Sequence, residues 1–135
     1  MSDEKRVLIV DDEADAIEFV TAVLEDIGGI AIESAGDGHA GVAKAKEVLP
    51  DLIIMDVEMP EWSGFHAFLD IRQNESTSHI PIVMLTGISE KVGIKFSGAD
   101  MEEYMGEEPE AFLEKPVEPA ELEKTVRDLL GLKGA

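Results

Sequence analysis

Four short apolar runs each stop at a chemically capable polar residue. Val7–Val10 ends at Asp11-Asp12, Leu52–Met55 at Asp56, Ile82–Leu85 at Thr86, and Ala111–Glu114 at Lys115-Pro116. Three of these runs hold four apolar residues with little alternation and read as strands buried on both faces, the signature of a parallel sheet covered by helices, and Ala111–Glu114 is a shorter strand with three. Between them lie helical patterns. From Ala14 to Ile27 the residues Ile17, Val20, Leu24 and Ile27 recur at steps of three and four, and Gly28-Gly29 closes the pattern. Ile30–Ser34 is a weaker strand. Asp37-Gly38 opens a helix that runs to about Leu49, and Pro50 ends it. A helix over Gly64–Arg72 has Phe65, Phe68 and Leu69 facing inward, and the last helix spans Pro119–Leu130, with Leu122, Val126, Leu129 and Leu130 on one face. Strands alternating with helices define an α/β fold with helices on both faces of the sheet. Only Ile88–Pro109 breaks the rhythm: Gly93, Gly98 and Gly106 interrupt it and acidic residues crowd it, which predicts a short helix and an irregular acidic loop.

In an open α/β sheet, ligands bind at the carboxyl ends of the strands. Asp11, Asp12, Asp56, Thr86 and Lys115 are therefore expected along one edge. Each residue alone has a plain reading: a cap or turn aspartate, a strand-end residue, a solvated lysine. Packing, however, calls for no polar groups at four strand ends at once. Three nearby carboxylates repel and need a counter-charge. Oxygen-only donors suit Mg²⁺, which keeps waters and shares phosphate oxygens. An ammonium and a hydroxyl complete a pocket suited to a phosphoryl group, with a carboxylate as nucleophile.

Charge narrows the partners. With 11 Lys+Arg against 30 Asp+Glu the chain carries −19, which argues against binding nucleic acid or an anionic membrane. There is no cysteine, so disulfides, thiolate metal sites and cysteine nucleophiles are excluded. No apolar run approaches a membrane span or a signal-peptide core, and a cytoplasmic setting is expected. The 135 residues suit one domain, with a core from about Arg6 to Leu130. His39, His66 and His79 lack ligand spacing and read as surface residues. Trp62 reads as a partly exposed aromatic, and Met55 and Met84 as core fillers.

The ordered motifs Val10–Asp12, Met55–Pro60 (Met-Asp-Val-Glu-Met-Pro), Ser63–Phe65 (Ser-Gly-Phe), Met84–Gly87 (Met-Leu-Thr-Gly) and Leu113–Val117 (Leu-Glu-Lys-Pro-Val) resemble the CheY-like receiver domain of two-component response regulators, over nearly the whole chain. The resemblance implies a flavodoxin-like, doubly wound five-stranded parallel sheet in the order 2-1-3-4-5, with an atypical region where the family carries a helix between strands four and five. It implies that Asp56 accepts a phosphoryl group from phosphohistidine on a sensor histidine kinase or phosphotransfer protein. Asp12 would bind Mg²⁺ directly, Asp11 mainly through water, and Glu58 by its backbone carbonyl. Thr86 and Lys115 would contact the phosphoryl group, and Phe112, three residues before the lysine, would be the switch aromatic. Glu58 and Ile88 would tune phosphoryl lifetime. The Lys115–Pro116 bond is expected to be cis.

Only Gly131–Ala135 follow the last helix, so a single-domain regulator, a phosphorelay intermediate or a fragment lacking its output domain is expected, with a downstream protein partner and a possible homodimer. The rival reading from another class is a haloacid-dehalogenase-like phosphohydrolase with an aspartyl-phosphate intermediate. That family usually has a second Asp where Glu58 stands. A third reading is a receiver-like interaction domain that is never phosphorylated.

Overall fold

In the computed structural model, residues 4–57, 64–86 and 109–132 are described. Five strands, β1 (Lys5–Val10), β2 (Ile30–Ala35), β3 (Leu52–Asp56), β4 (Ile82–Thr86) and β5 (Ala111–Glu114), form one sheet in the order β2-β1-β3-β4-β5. Every neighbouring pair is parallel. Among the described residues, four helices pack on it: α1 (Ala14–Ile27), α2 (Gly38–Val48), α3 (Gly64–Gln73) and α4 (Pro119–Leu130).

Side chains alternate across a strand, so each strand feeds two cores. Leu8, Val10, Ile53, Met55, Ile82 and Met84 pack with Val42 and Ala45 of α2 and Ala67, Phe68 and Ile71 of α3. Val7, Ile9, Leu52, Ile54, Val83 and Leu85 pack on the other face with Val20, Val23 and Leu24 of α1 and Leu122, Val126 and Leu130 of α4. This division explains the unbroken apolar runs: along Val7–Val10, Leu52–Met55 and Ile82–Leu85 the strands have no solvent face for a polar residue to occupy.

Several local expectations shift. β2 extends one residue to Ala35, whose carbonyl accepts from the Asp11 amide. α2 ends at Val48, with Leu49 left-handed at φ 47° and its N–H still donating to the Ala45 carbonyl. Asp37 caps α2 by accepting from the Ala40 amide at 2.7 Å. On α3 the inward residues are Ala67, Phe68 and Ile71, whereas Leu69 is only half-buried, because the helix turns its i, i+3, i+4 stripe one position away from it. Phe65, Trp62 and the predicted loop over 88–108 lie outside the side chains or residues described. At the far edge of β4 and β5, Arg72 reaches from α3 to the Ile80 carbonyl at 2.8 Å and to Glu110 Oε1 at 2.6 Å, and the same Glu110 oxygen accepts from the Ile82 amide.

Candidate functional site

The register of the three central strands assembles the site. Val10 lies beside Met55, which sets Asp11 next to Asp56. Asp56 pairs with Leu85, so Thr86 stands one residue beyond it, and Thr86 pairs with Glu114, which places Lys115 just past the edge. Backbone hydrogen bonds hold these ends together: Val57 N–H to Leu85 O at 2.9 Å and Lys115 N–H to Thr86 O at 2.7 Å. The Lys115–Pro116 peptide is cis.

Lys115 Nζ lies 3.0 Å from Asp56 Oδ1 and 3.4 Å from Asp11 Oδ2. Asp11, Asp56 and Thr86 are buried, at 2%, 3% and 4% exposure, whereas Asp12 is exposed. Asp11 is further fixed by accepting the Glu13 amide on Oδ1 at 2.9 Å. It is therefore a turn aspartate and a site aspartate at once. The N-cap of α1 is Glu13, whose side chain makes no capping bond. Carboxylate oxygens of Asp11, Asp12 and Asp56 all lie within 4.8 Å of one another.

The electrostatics follow from this crowding. Burial pushes the Asp56 carboxyl up to about 6; contact with Lys115 opposes the rise, and the neighbouring Asp11 and Asp12 charges add to it. Burial likewise raises Asp11, against the Glu13 amide and Lys115, which lower it. For Lys115, burial disfavours the charge, but Asp56 and Asp11 outweigh it, and its pKa stands above the ordinary lysine value. Among the described residues, one ammonium thus serves the two buried carboxylates of the cluster. Asp56 Oδ1 is in ion-pair range of Lys115 yet lacks an aligned hydrogen bond, and it is a buried acceptor without a hydrogen-bond partner. Three carboxylates gathered within 4.8 Å, one of them with a buried oxygen that lacks an aligned hydrogen bond, make an oxygen-only donor set that fits a small divalent cation.

Phe112 is half-buried and packs against the α2–α3 core, its strand position opposite Met84. Glu58 and Ile88 lie outside the described residues. Sequence reasoning missed Phe19, 37% exposed on α1 beside a groove of about 640 Å³ that runs from α1 to Lys115 and Val117. The signal was present: Phe19 falls outside the stripe Ile17, Val20, Leu24, Ile27 that the periodicity sends into the core.

The sequence profile of the response regulator receiver domain matches residues 7–127. The protein PilH of Pseudomonas aeruginosa is 34% identical over 93% of this chain and 97% of its own length. The chemotaxis response regulator CheY4 of Vibrio cholerae superposes with a TM-score of 0.75 at 32% identity, covering 93% of this chain and 98% of that one. The receiver domain of the sensor histidine kinase PA1611 from Pseudomonas aeruginosa, solved with magnesium coordinated in its active-site cleft, gives 0.78 at 26% identity over 95% of this chain and 98% of its own. Other curated relatives are longer, and the chain spans 48% and 55% of two of them. The parallel sheet with its acidic edge defines a two-component signalling module. More particularly, the chain belongs to the response regulator receiver domain family.

Proposed function

We propose that the chain is one receiver domain that takes a phosphoryl group onto Asp56 from phosphohistidine of a sensor kinase or phosphotransfer protein, and that phosphorylation switches a protein-interaction surface. The observation that carries this reading is the pairing of the buried Asp56 Oδ1 with Lys115 Nζ at 3.0 Å inside a three-carboxylate cluster. An Asp56 carboxylate oxygen forms the O–P bond as the N–P bond of the donor breaks. The imidazole nitrogen leaves with the electron pair and is reprotonated by solvent. Lys115 neutralises a phosphoryl oxygen, and the Thr86 hydroxyl donates to another.

Asp11, Asp12, Asp56 and the Glu58 carbonyl are the residues proposed to hold Mg²⁺. When bound, the ion neutralises surplus carboxylate charge and draws in phosphoryl oxygens. Lys115 then has a new anionic partner, and Thr86 and Phe112 report the change to the outer face of β5. The reading makes the chain a switch without turnover of a separate substrate, acting in the cytoplasm through a downstream protein or an output domain. The phosphohydrolase alternative draws support from none of the relatives named above.

Acetyl phosphate with Mg²⁺, followed by intact-mass analysis, tests the proposal. One phosphoryl group should be gained, removed by hydroxylamine, and absent in Asp56→Asn. A gain that persists in Asp56→Asn, or no gain with the unmodified chain, overturns it.

A further inference from the structure

Two strands lead to reactive residues, β3 to Asp56 and β5 to Lys115, and each is held at its other end in the same way. Asp51, just before β3, donates its amide to the Arg6 carbonyl at 2.7 Å and accepts the Arg6 amide on Oδ2 at 2.8 Å. Glu110, just before β5, donates its amide to the Ile82 carbonyl at 3.0 Å and accepts the Ile82 amide on Oε1 at 2.8 Å. Each acidic residue stands five positions before the reactive side chain. A reciprocal pair of this kind admits one partner residue on the neighbouring strand, so it marks the register.

The two strands need that mark unequally. β3 lies between β1 and β4 with every residue buried, so packing already specifies its register. β5 has four residues, lies at the sheet edge beside β4, and buries Leu113 alone. A slip of one residue would carry Lys115 about 3.3 Å along the strand. That would take Nζ out of its 3.0 Å contact with Asp56 Oδ1. The pairing at β5 is also reinforced. Arg72 of α3 donates to the Ile80 carbonyl at 2.8 Å and to Glu110 Oε1 at 2.6 Å, and its guanidinium lies 4.9 Å from the centroid of the Phe68 ring. The arginine side chain is only 8% exposed, so the core holds this fork in place. We propose that Glu110, clamped by Arg72, is a positioning residue for Lys115: it fixes β5 on β4 and so sets the ammonium where it meets the phosphoryl group. This rests on the phosphoacceptor reading of Asp56 and adds to it the device that places the cation. Asp51 makes the same pairing for a strand that packing already fixes, and is the matched control.

The test is the rate of phosphorylation by acetyl phosphate at saturating Mg²⁺, followed by intact mass, with urea melts to establish that each variant is folded. Glu110→Ala should slow the reaction about tenfold, the scale of a displaced catalytic group. Glu110→Gln keeps the acceptor oxygen and should stay close to the unmodified rate. Asp51→Ala removes the same reciprocal pair from β3 and should leave the rate unchanged. On a Lys115→Met background Glu110→Ala should slow the reaction no further, because the group it positions is gone, whereas a general loosening of the fold would still show there. Arg72→Met leaves the Glu110–Ile82 pairing in place. It should slow the reaction less than Glu110→Ala, again only when Lys115 is present, and it carries the comparison if Glu110→Ala does not fold. Unchanged rates in Glu110→Ala and Arg72→Met, equal slowing with and without Lys115, or a loss in Asp51→Ala as large as in Glu110→Ala overturn the proposal. If the unmodified chain takes no phosphoryl group, the phosphoacceptor reading falls instead.

Discussion

Asp56 sets burial against charge, and its pH behaviour follows. In an unfolded chain its carboxyl titrates near 3.8, and in the fold near about 6. The folded state therefore holds the proton more tightly. The stability tied to this group is complete below pH 4 and is lost as pH rises through 6, on the order of 2–3 kcal/mol. In metal-free buffer Asp56→Asn should flatten that part of the stability–pH profile and raise the urea midpoint at pH 7.5. An unchanged profile would mean that the cluster relaxes its repulsion another way. Protons should also compete with Mg²⁺, so titration calorimetry should show affinity falling below pH 6. Lys115→Met removes the one cation 3.0 Å from Asp56 and 3.4 Å from Asp11. The Asp56 titration, followed by carboxyl NMR, should then move further up, because the opposing charge is gone while burial and Asp11 remain. The candidate residues were legible because packing has no use for charge at strand ends. The unequal burial of Asp11 and Asp12 was not, since adjacent aspartates carry no label for which one turns under the sheet edge. Nor was Arg72 with Glu110, 38 positions apart, whose meeting depends on how β5 returns beside β4.

Helices and strands show where periodicity suffices and where it stops. The apolar runs located β1, β3 and β4 because those strands are covered on both faces along Val7–Val10, Leu52–Met55 and Ile82–Leu85, whereas β5, at one sheet edge and mostly half-buried, showed only the short run before Lys115-Pro116. β2, at the sheet edge and only half-buried, gave the weaker signal. Helix ends depended on backbone angles that composition only suggests. Leu49 holds a left-handed φ of 47° at the end of α2 with its side chain 52% exposed. A Cβ disfavours that conformation, and little packing compensates. Leu49→Gly should therefore stabilise the fold by about 0.5–1 kcal/mol, read as a higher urea midpoint with unchanged slope. Gly41 has the opposite constraint. A Cβ there would stand 2.7 and 2.8 Å from the two methyls of Val10. Valine is stiff at χ1, and with both methyls in the way rotation clears only one. Gly41→Ala should cost about 1–3 kcal/mol by forcing α2 off β1. Adding Val10→Ala should recover part of the loss despite the cavity it leaves; a strictly additive double variant would show that the contact is not the cause.

At the scale of the molecule, alternation of strand and helix dictated the class, while the order 2-1-3-4-5 came from the resemblance, because hydrophobic runs do not state which strand pairs with which. Charge was read from composition alone, yet it acts on the whole fold. A net −19 on 135 residues stores self-repulsion that unfolding relieves. Two remedies should separate cleanly. Sodium chloride screens all exposed charges, with a Debye length of about 30 Å at 0.01 M and about 8 Å at 0.15 M. It should raise Tm progressively, without saturating at millimolar levels, and equally in Asp12→Asn. Mg²⁺ should raise Tm at constant ionic strength along a binding curve that follows mass action. Asp12 is the exposed member of the cluster. Its replacement by Asn should thus leave the fold intact and shift the Mg²⁺ curve to higher concentration without touching the salt response. If Asp12→Asn responded to Mg²⁺ as the unmodified chain does, the ion would be acting as a diffuse counter-charge, and the three aspartates would not form its site.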